Sequence, residues 1–342
     1  MNTGVVWFRN ALRLNDNRVL VECLNSTNSQ TILPLYILDK SDLEQNNNEN
    51  RIKFLYESLI DLNANFKAKF GSNLIVLNGK SEEVFRKLLG SDLIDISEIF
   101  TDYSNKPNDI KNENNLKSVL AKHTSVKLHL ISKVNSLTNI KEVVNQDNFK
   151  PPKTMKDMEK LFSNLYPKDE DGFYSIDEPL DTPENSKPTS ENFSEIIKDY
   201  LFDVKKELSL LEKNSKSYFK GGESEALFRL ERKVSSEEEY IRNFRKPRTV
   251  STNKPENPLE PETTGLSPYL SFGCLSPRLL WKETEKCYRN GDHTQPPESM
   301  HGQLMFREMF YILSRAIENW DSDTNNSMCK KIEWGDFDED KM

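Results

Sequence analysis

Short apolar runs alternate with helical stripes through the first third of the chain. GVVWF at Gly4–Phe8, TILPLYIL at Thr31–Leu38, NLIVL at Asn73–Leu77, then Glu98–Asp102 and Val126–Ile131, have strand length. Between the second and third runs, Ile52, Leu55, Leu59, Leu62, Phe66 and Phe70 recur at steps of three and four, which is one apolar face of a long helix. Val84, Phe85, Leu88 and Leu89 mark a shorter helix. Strand–helix alternation predicts an α/β domain over residues 1–132, with a five-stranded, Rossmann-like parallel sheet covered on both faces. The first strand runs into Trp7-Phe8-Arg9-Asn10. No GxGxxG follows it, so the ordinary dinucleotide-binding turn is absent.

The pattern changes twice more. Residues 133–219 hold clustered prolines (Pro151, Pro152, Pro167, Pro179, Pro183, Pro188) among acids, Ser and Asn. They read as a long connector with short helices lying over the surface. From Gly221 the periodicity is helical, with Ala226, Leu227, Leu230 and Val234 on one stripe. Leu304, Met305, Phe306, Met309, Phe310, Ile312, Leu313, Ala316 and Ile317 leave almost no polar face, which predicts a buried helix. That helix carries Arg307 and Glu308. A buried cation costs several kcal/mol unless acceptors meet it, so Arg307 calls for a carboxylate, a phosphate or a polar cofactor edge, or else a structural salt bridge.

Composition narrows the class. The 342 residues are 35% hydrophobic and 30% charged, polar for a globular protein, yet 10% aromatic, too much for a disordered chain. No run of 18 apolar residues predicts a membrane-spanning helix, and no secretory leader is expected. Cys23, Cys274, Cys287 and Cys329 show neither CxxC nor zinc spacing, which suggests reduced thiols of a nuclear or cytoplasmic protein and no metal site. A net charge of −8 argues against a wholly basic nucleic-acid coat. Charge is nevertheless uneven. Tyr240 to Lys254 holds Arg242, Arg245, Lys246, Arg248 and Lys254 with no acid, which is either an anion site or a solvated loop.

Thr263-Thr264-Gly265-Leu266-Ser267-Pro268 is the most informative stretch. Hydroxyls and a glycine precede a helix whose Pro268 suits the first turn. Such an arrangement is either a ready anion site or an ordinary helix cap.

These segments, taken in order, carry a resemblance. Trp7-Phe8-Arg9 with Leu12-Arg13-Leu14-Asn15-Asp16-Asn17, then Gly221-Gly222-Glu223 through Arg229-Leu230-Glu231-Arg232, Phe244-Arg245-Lys246-Pro247, Thr263–Leu270, Phe272–Arg278, and Gly302-Gln303-Leu304-Met305-Phe306-Arg307-Glu308 resemble the motifs of the DNA photolyase/cryptochrome family. The pattern is most similar to the animal-type branch of (6-4) photolyases and cryptochromes, and it covers nearly the whole chain. It implies a blue-light flavoprotein with an all-helical FAD-binding domain after the α/β domain. By resemblance, Thr263, Thr264, Leu266 and Ser267 would contact the FAD pyrophosphate and ribitol. Lys246 would add charge to the phosphates. Gln303 and Arg307 would face the flavin or substrate pocket. Phe306 stands where the family usually has Trp in the wall that meets a flipped base. Trp334 aligns with the outermost tryptophan of the electron-transfer chain and is the one candidate for a catalytic role.

Two departures qualify what the resemblance implies. Lys106 replaces the usual acid before Pro107, and Ser132-Lys133-Val134-Asn135 replaces a Ser-His-Thr-Leu pattern; both put the antenna chromophore in doubt. The family also continues beyond the position of Met342, so residues 220–342 are expected to form only the N-terminal part of the helical domain and to hold FAD weakly or not at all. The implied function is light-driven repair of a pyrimidine photoproduct in damaged DNA. The alternative is a cryptochrome acting through clock or transcription proteins. Whether this chain is an enzyme stays open at this point.

Overall fold

The computed structural model describes residues 1–40, 43–44, 48–184, 186–189, 194–211, 217–247, 253–254, 257–261 and 263–330. Its first part is the expected sheet: β1 (Asn2–Phe8), β2 (Thr31–Leu38), β3 (Ile75–Asn78), β4 (Asp95–Asp102) and β5 (Lys127–Ile131). They pair in parallel in the order β3-β2-β1-β4-β5. Helices α1 (Arg18–Asn25), α2 (Glu49–Phe70), α3 (Ser81–Leu89) and α4 (Pro107–Leu120) fill the crossovers.

Alternation along β1 explains the two-sided burial. Val5 and Trp7 join one core with Leu33, Phe85, Ile99 and Leu116, and Trp7 meets Phe85 edge-on at 5.1 Å. Val6 and Phe8 join the other with Leu20, Leu59 and Phe66. Full burial of each such side chain contributes about 1.5–3 kcal/mol. Because β4 lies beside β1, the chain reverses direction across the sheet there. A crevice outside the C-terminal strand ends results, the general ligand position of such sheets.

The second part is helical: α5 (Ile140–Val144), α6 (Met155–Leu165), α7 (Ser194–Ile197), α8 (Val204–Leu211), α9 (Glu223–Leu230), α10 (Glu238–Asn243), α11 (Ser267–Phe272), α12 (Pro277–Tyr288) and α13 (Met300–Ala316), with an antiparallel ribbon of β6 (Asn253–Lys254) and β7 (Asn257–Pro261). A π-turn over Glu231–Ser235 extends α9.

Two expectations change. Residues 133–219 do not only lie over the surface: Val134, Leu137, Ile140, Val143, Met158, Phe162, Tyr166 and Ile176 are buried in the same core as Trp281 and Leu304. They are the wedge between sheet and helices. Helix α13 is also not apolar all round. Leu304, Met305, Met309, Ile312 and Leu313 are buried, whereas Phe306 is half-buried and Phe310 is 52% exposed. Its apolar surface therefore divides into a buried face and a more exposed one.

Candidate functional site

The loop after β1 fastens the two parts together. Arg13 is fully buried and donates to the carbonyls of Asn15 (2.9 Å), Gly273 (2.9 Å), Asp16 (3.0 Å) and Val134 (2.6 Å), and to the Asn135 side chain (2.7 Å). Burial lowers its guanidinium to about 10, although Asp16 opposes the shift. Asp16 forms a fully buried ion pair with Arg278 at 2.7 Å and also accepts from Ser276. Glu223, at the start of α9, accepts the backbone N–H groups of Leu14 (2.7 Å) and Asn15 (2.8 Å). Gly273, at φ +68°, lies so close to the Asn10 carbonyl that no side chain fits. The opening motif thus serves as a clasp, with partners more than 200 residues away.

The loop at 263–267 lies on the helical side. Gly265 takes the left-handed conformation at φ +64°, and a Cβ there would meet Phe219 and Pro261 at 3.0 Å. Only glycine makes this turn without strain. Thr264 and Leu266 are buried, Thr263 is half-buried, and Ser267 is exposed at the start of α11. Tyr269 donates to the Lys220 carbonyl (2.8 Å) and so ties α11 to the segment before α9.

Behind Gly265 stands Arg229, which sequence reading did not single out. It is 7% exposed and its guanidinium lies over the rings of Phe219 (5.2 Å), Tyr218 (5.3 Å) and Tyr269 (5.9 Å). Glu225 is 3.8 Å away, and among the described residues the Arg229 Nε has no hydrogen-bond partner. A Cβ on Gly265 would sit 3.2 Å from Nη1. No local pattern could reveal this cation; it becomes conspicuous only through the ring cluster and its orphaned N–H.

Helix α13 carries three of the candidates, Gln303, Phe306 and Arg307. Lys246 is exposed and its ammonium lies 5.4 Å from the Phe306 ring centre. Its backbone N–H donates to Glu298, while Gln303 Nε2 donates to the Pro297 carbonyl (2.9 Å). Lys246 and Gln303 therefore share one supporting turn. Arg307 donates to the carbonyls of Asn135 (2.7 Å) and Leu270 (3.3 Å) and to Tyr311 (2.8 Å), with Glu308 3.6 Å away. The partners that Arg307 calls for are thus backbone carbonyls, the Tyr311 hydroxyl and a nearby Glu308, as in the structural reading of this helix. Glu308 is fully buried and accepts from Thr138 at 2.9 and 3.0 Å. Burial pushes its carboxyl above the ordinary range. Trp334 and Arg248 lie outside the described residues, as does the Lys254 side chain.

Lys106 borders the crevice at the strand ends, a cavity of about 580 Å3 also lined by Trp7, Arg9, Tyr36, Arg51 and Asp109. Among the described residues, no cluster of three or more His, Cys, Asp or Glu could hold a metal ion, and no helix is long and apolar enough to cross a membrane.

A parallel sheet of this order, clasped through buried polar contacts to a helical region, defines a two-part α/β and all-α protein. Comparison with known proteins identifies it further. The DNA photolyase family model matches residues 4–177, and the chain belongs to that family. It is 32% identical over 344 residues to cryptochrome-1 of Rattus norvegicus, covering 97% of this chain and 54% of that protein. It is 30% identical over 368 residues to a (6-4) DNA photolyase of Arabidopsis thaliana, covering 98% of this chain and 60% of that protein. Among solved structures, a Synechocystis cryptochrome has the same fold at 21% identity and TM-score 0.66, over 92% of this chain and 62% of the other. A photolyase from Sulfolobus tokodaii does so at 22% identity and TM-score 0.62, over 92% and 59%. The chain spans little more than half the length of the curated relatives it matches.

Proposed function

We propose that this chain is the part of a blue-light FAD flavoprotein that cradles the cofactor phosphates, in a protein of the (6-4)-photolyase kind that repairs damaged DNA. The observation that carries the reading is Arg229. A cation buried on three rings, loosely paired with Glu225 at 3.8 Å and with an Nε unmet among the described residues, lies against the glycine of the 263–267 loop and would supply positive charge to a pyrophosphate there. The residues fit the group. Thr263, Thr264, Leu266 and Ser267 would hold the pyrophosphate and ribitol, and exposed Lys246 would add a second cation. The Sulfolobus tokodaii photolyase was solved with two FAD molecules, which supports the cofactor class.

Bound FAD would supply light absorption and the transferable electron. This chain's residues would orient it. Gln303 would present its amide to the flavin or substrate, and Phe306 would offer a ring face to an extruded base. Phe lacks the N–H donor of a Trp, so that contact rests on stacking alone. Lys246 above Phe306 places positive charge at the same wall, suited to a DNA phosphate as well as to FAD. Arg307 would stiffen the wall by joining α13 to α11 and to the wedge. Trp334 would be the outer electron donor.

One observation favours the cryptochrome reading, in which the partners are clock or transcription proteins. By resemblance, Gly265 within Thr-Gly-Leu-Ser-Pro leans to the cryptochrome form of the loop, and at its φ of +64° only glycine fits without strain. Titrating FAD into the protein tests the common core of both readings. Weak but saturable binding that inorganic pyrophosphate displaces is expected; binding of neither FAD nor pyrophosphate would overturn it.

A further inference from the structure

A second cavity, of about 460 Å3, lies between α6, the segment 168–174 and α12–α13. Its lining includes the rings of Phe173, Tyr174, Trp281, Tyr288, His293 and His301. His301 and Met305 reach it from the side of α13 opposite Gln303, so it is separate from the flavin site proposed above. Its volume falls in the range of small-molecule sites, about 300–1,000 Å3.

The rings form a preorganised stack. His301 lies flat on Trp281 (3.6 Å, 4°), His293 lies flat on Tyr288 (4.1 Å, 8°), and Phe173 covers His293 (5.6 Å, 23°). Tyr288 joins the two pairs edge-on at 4.9 Å. Nε2 of His301 lies 3.0 Å from the Trp281 carbonyl, so it carries the proton and leaves Nδ1 as an acceptor. Burial holds His301 down at about 3 and also lowers His293. Among the described residues the buried Trp281 indole N–H has no partner, and Trp281 is one of the residues that line the cavity. Buried donors of this kind are rare and call for an acceptor.

The roof is a strap. Residues 168–174 turn at Gly172 (φ +87°) and are fastened by Arg289, which pairs with Asp169 and with Asp171 (2.9 Å) and covers Phe173 at 4.6 Å. Among the described lining residues Lys168 is the one cation, and it is engaged over the Tyr174 ring at 4.7 Å. Glu159 and Asp171 add negative charge. The site therefore disfavours phosphate and carboxylate ligands.

We propose that this cavity binds a small, uncharged, planar heteroaromatic molecule of nucleobase type. The molecule stacks on the ring ladder, accepts the Trp281 N–H at one edge and donates to His301 Nδ1 at another, while the Arg289-fastened strap closes over it.

Adenine is the probe, with AMP as the anionic control, measured on the full chain by calorimetry and saturation-transfer NMR. Saturable adenine binding is expected, at least tenfold tighter than AMP. Phe173→Ala, at the half-exposed roof, should weaken it about tenfold with the fold intact. Trp281→Phe, which keeps the ring and removes the N–H, should weaken it severalfold. Raising salt should speed release, because the strap's ion pairs are exposed. No saturable adenine binding up to 10 mM, equal affinity for AMP, or binding indifferent to Phe173→Ala would each overturn the proposal.

Discussion

The clasp and the 263–267 loop are both polar, and both sit between elements distant in sequence, yet they are built on opposite principles. In the clasp, Arg13 makes five hydrogen bonds and Arg278 meets Asp16 with both side chains fully buried. Around the loop, Arg229 is buried with its Nε unmet among the described residues, while Ser267 and Lys246 are exposed. A satisfied network fixes a geometry; an unsatisfied one beside exposed donors is prepared for a ligand. Sequence resemblance marks both regions alike, and only hydrogen-bond accounting separates them.

The comparison breaks most visibly at the clasp. Arg278→Ala leaves Asp16 charged and buried, and should cost about 3–5 kcal/mol in chemical denaturation. The paired change Asp16→Asn with Arg278→Met should cost less, since both charges leave together while Asn tolerates the φ of +50° and still accepts from the Leu180 N–H. Next in size is Gly265→Ala, which places a Cβ 3.0 Å from Phe219 and Pro261 at φ +64° and should lose about 1–3 kcal/mol along with FAD affinity. Lys246→Ala should leave stability within about 0.5 kcal/mol, as an exposed substitution does. It should weaken FAD about ten- to a hundredfold, the equivalent of about 1.5–3 kcal/mol for a charge-assisted bond. Unchanged FAD affinity would remove Lys246 from the site.

The smallest effect concerns pH, at a third polar cluster under the sheet. Burial alone would raise the Glu98 carboxyl, but bonds from Ser26, Ser29, Asn28 and His129 outweigh it and hold the group below its ordinary value of 4.5. A depressed carboxylate contributes stability above its unfolded value and loses it as pH falls through the folded one. Stability should therefore drop below about pH 4.5, and Glu98→Gln should flatten that part of the curve. An unchanged acid slope in the variant would exclude Glu98 as the cause.

What the sequence made legible was local. All five strands were readable within about three residues at each end, because alternating or continuous apolar runs are short-range signals. The stripe of α2 was equally clear. The wedge was misread because prolines and acids dominate residues 133–219, while the apolar residues that enter the core are scattered among them. Lys246, Gln303 and Phe306 were named through resemblance, and the fold does bring them to one face. That Arg307 needs a partner is legible from its place on an apolar helix; that the carbonyls of Asn135 and Leu270 supply it is not, because no periodicity encodes those contacts. Arg229 and the Asp16–Arg278 pair were illegible for the same reason, as their meaning depends on residues up to 262 positions away.

The central claim, that the 263–267 loop with Arg229 is a phosphate cradle, is tested most directly by comparing FAD with riboflavin, which lacks the phosphates. In the protein carrying Arg229→Gln, FAD affinity should fall at least tenfold while riboflavin affinity stays unchanged, and Arg229→Lys should recover part of the loss. If both flavins weaken equally, Arg229 merely supports the ring cluster. If neither weakens, or if FAD never binds more tightly than riboflavin, the loop is an ordinary turn and the account is wrong.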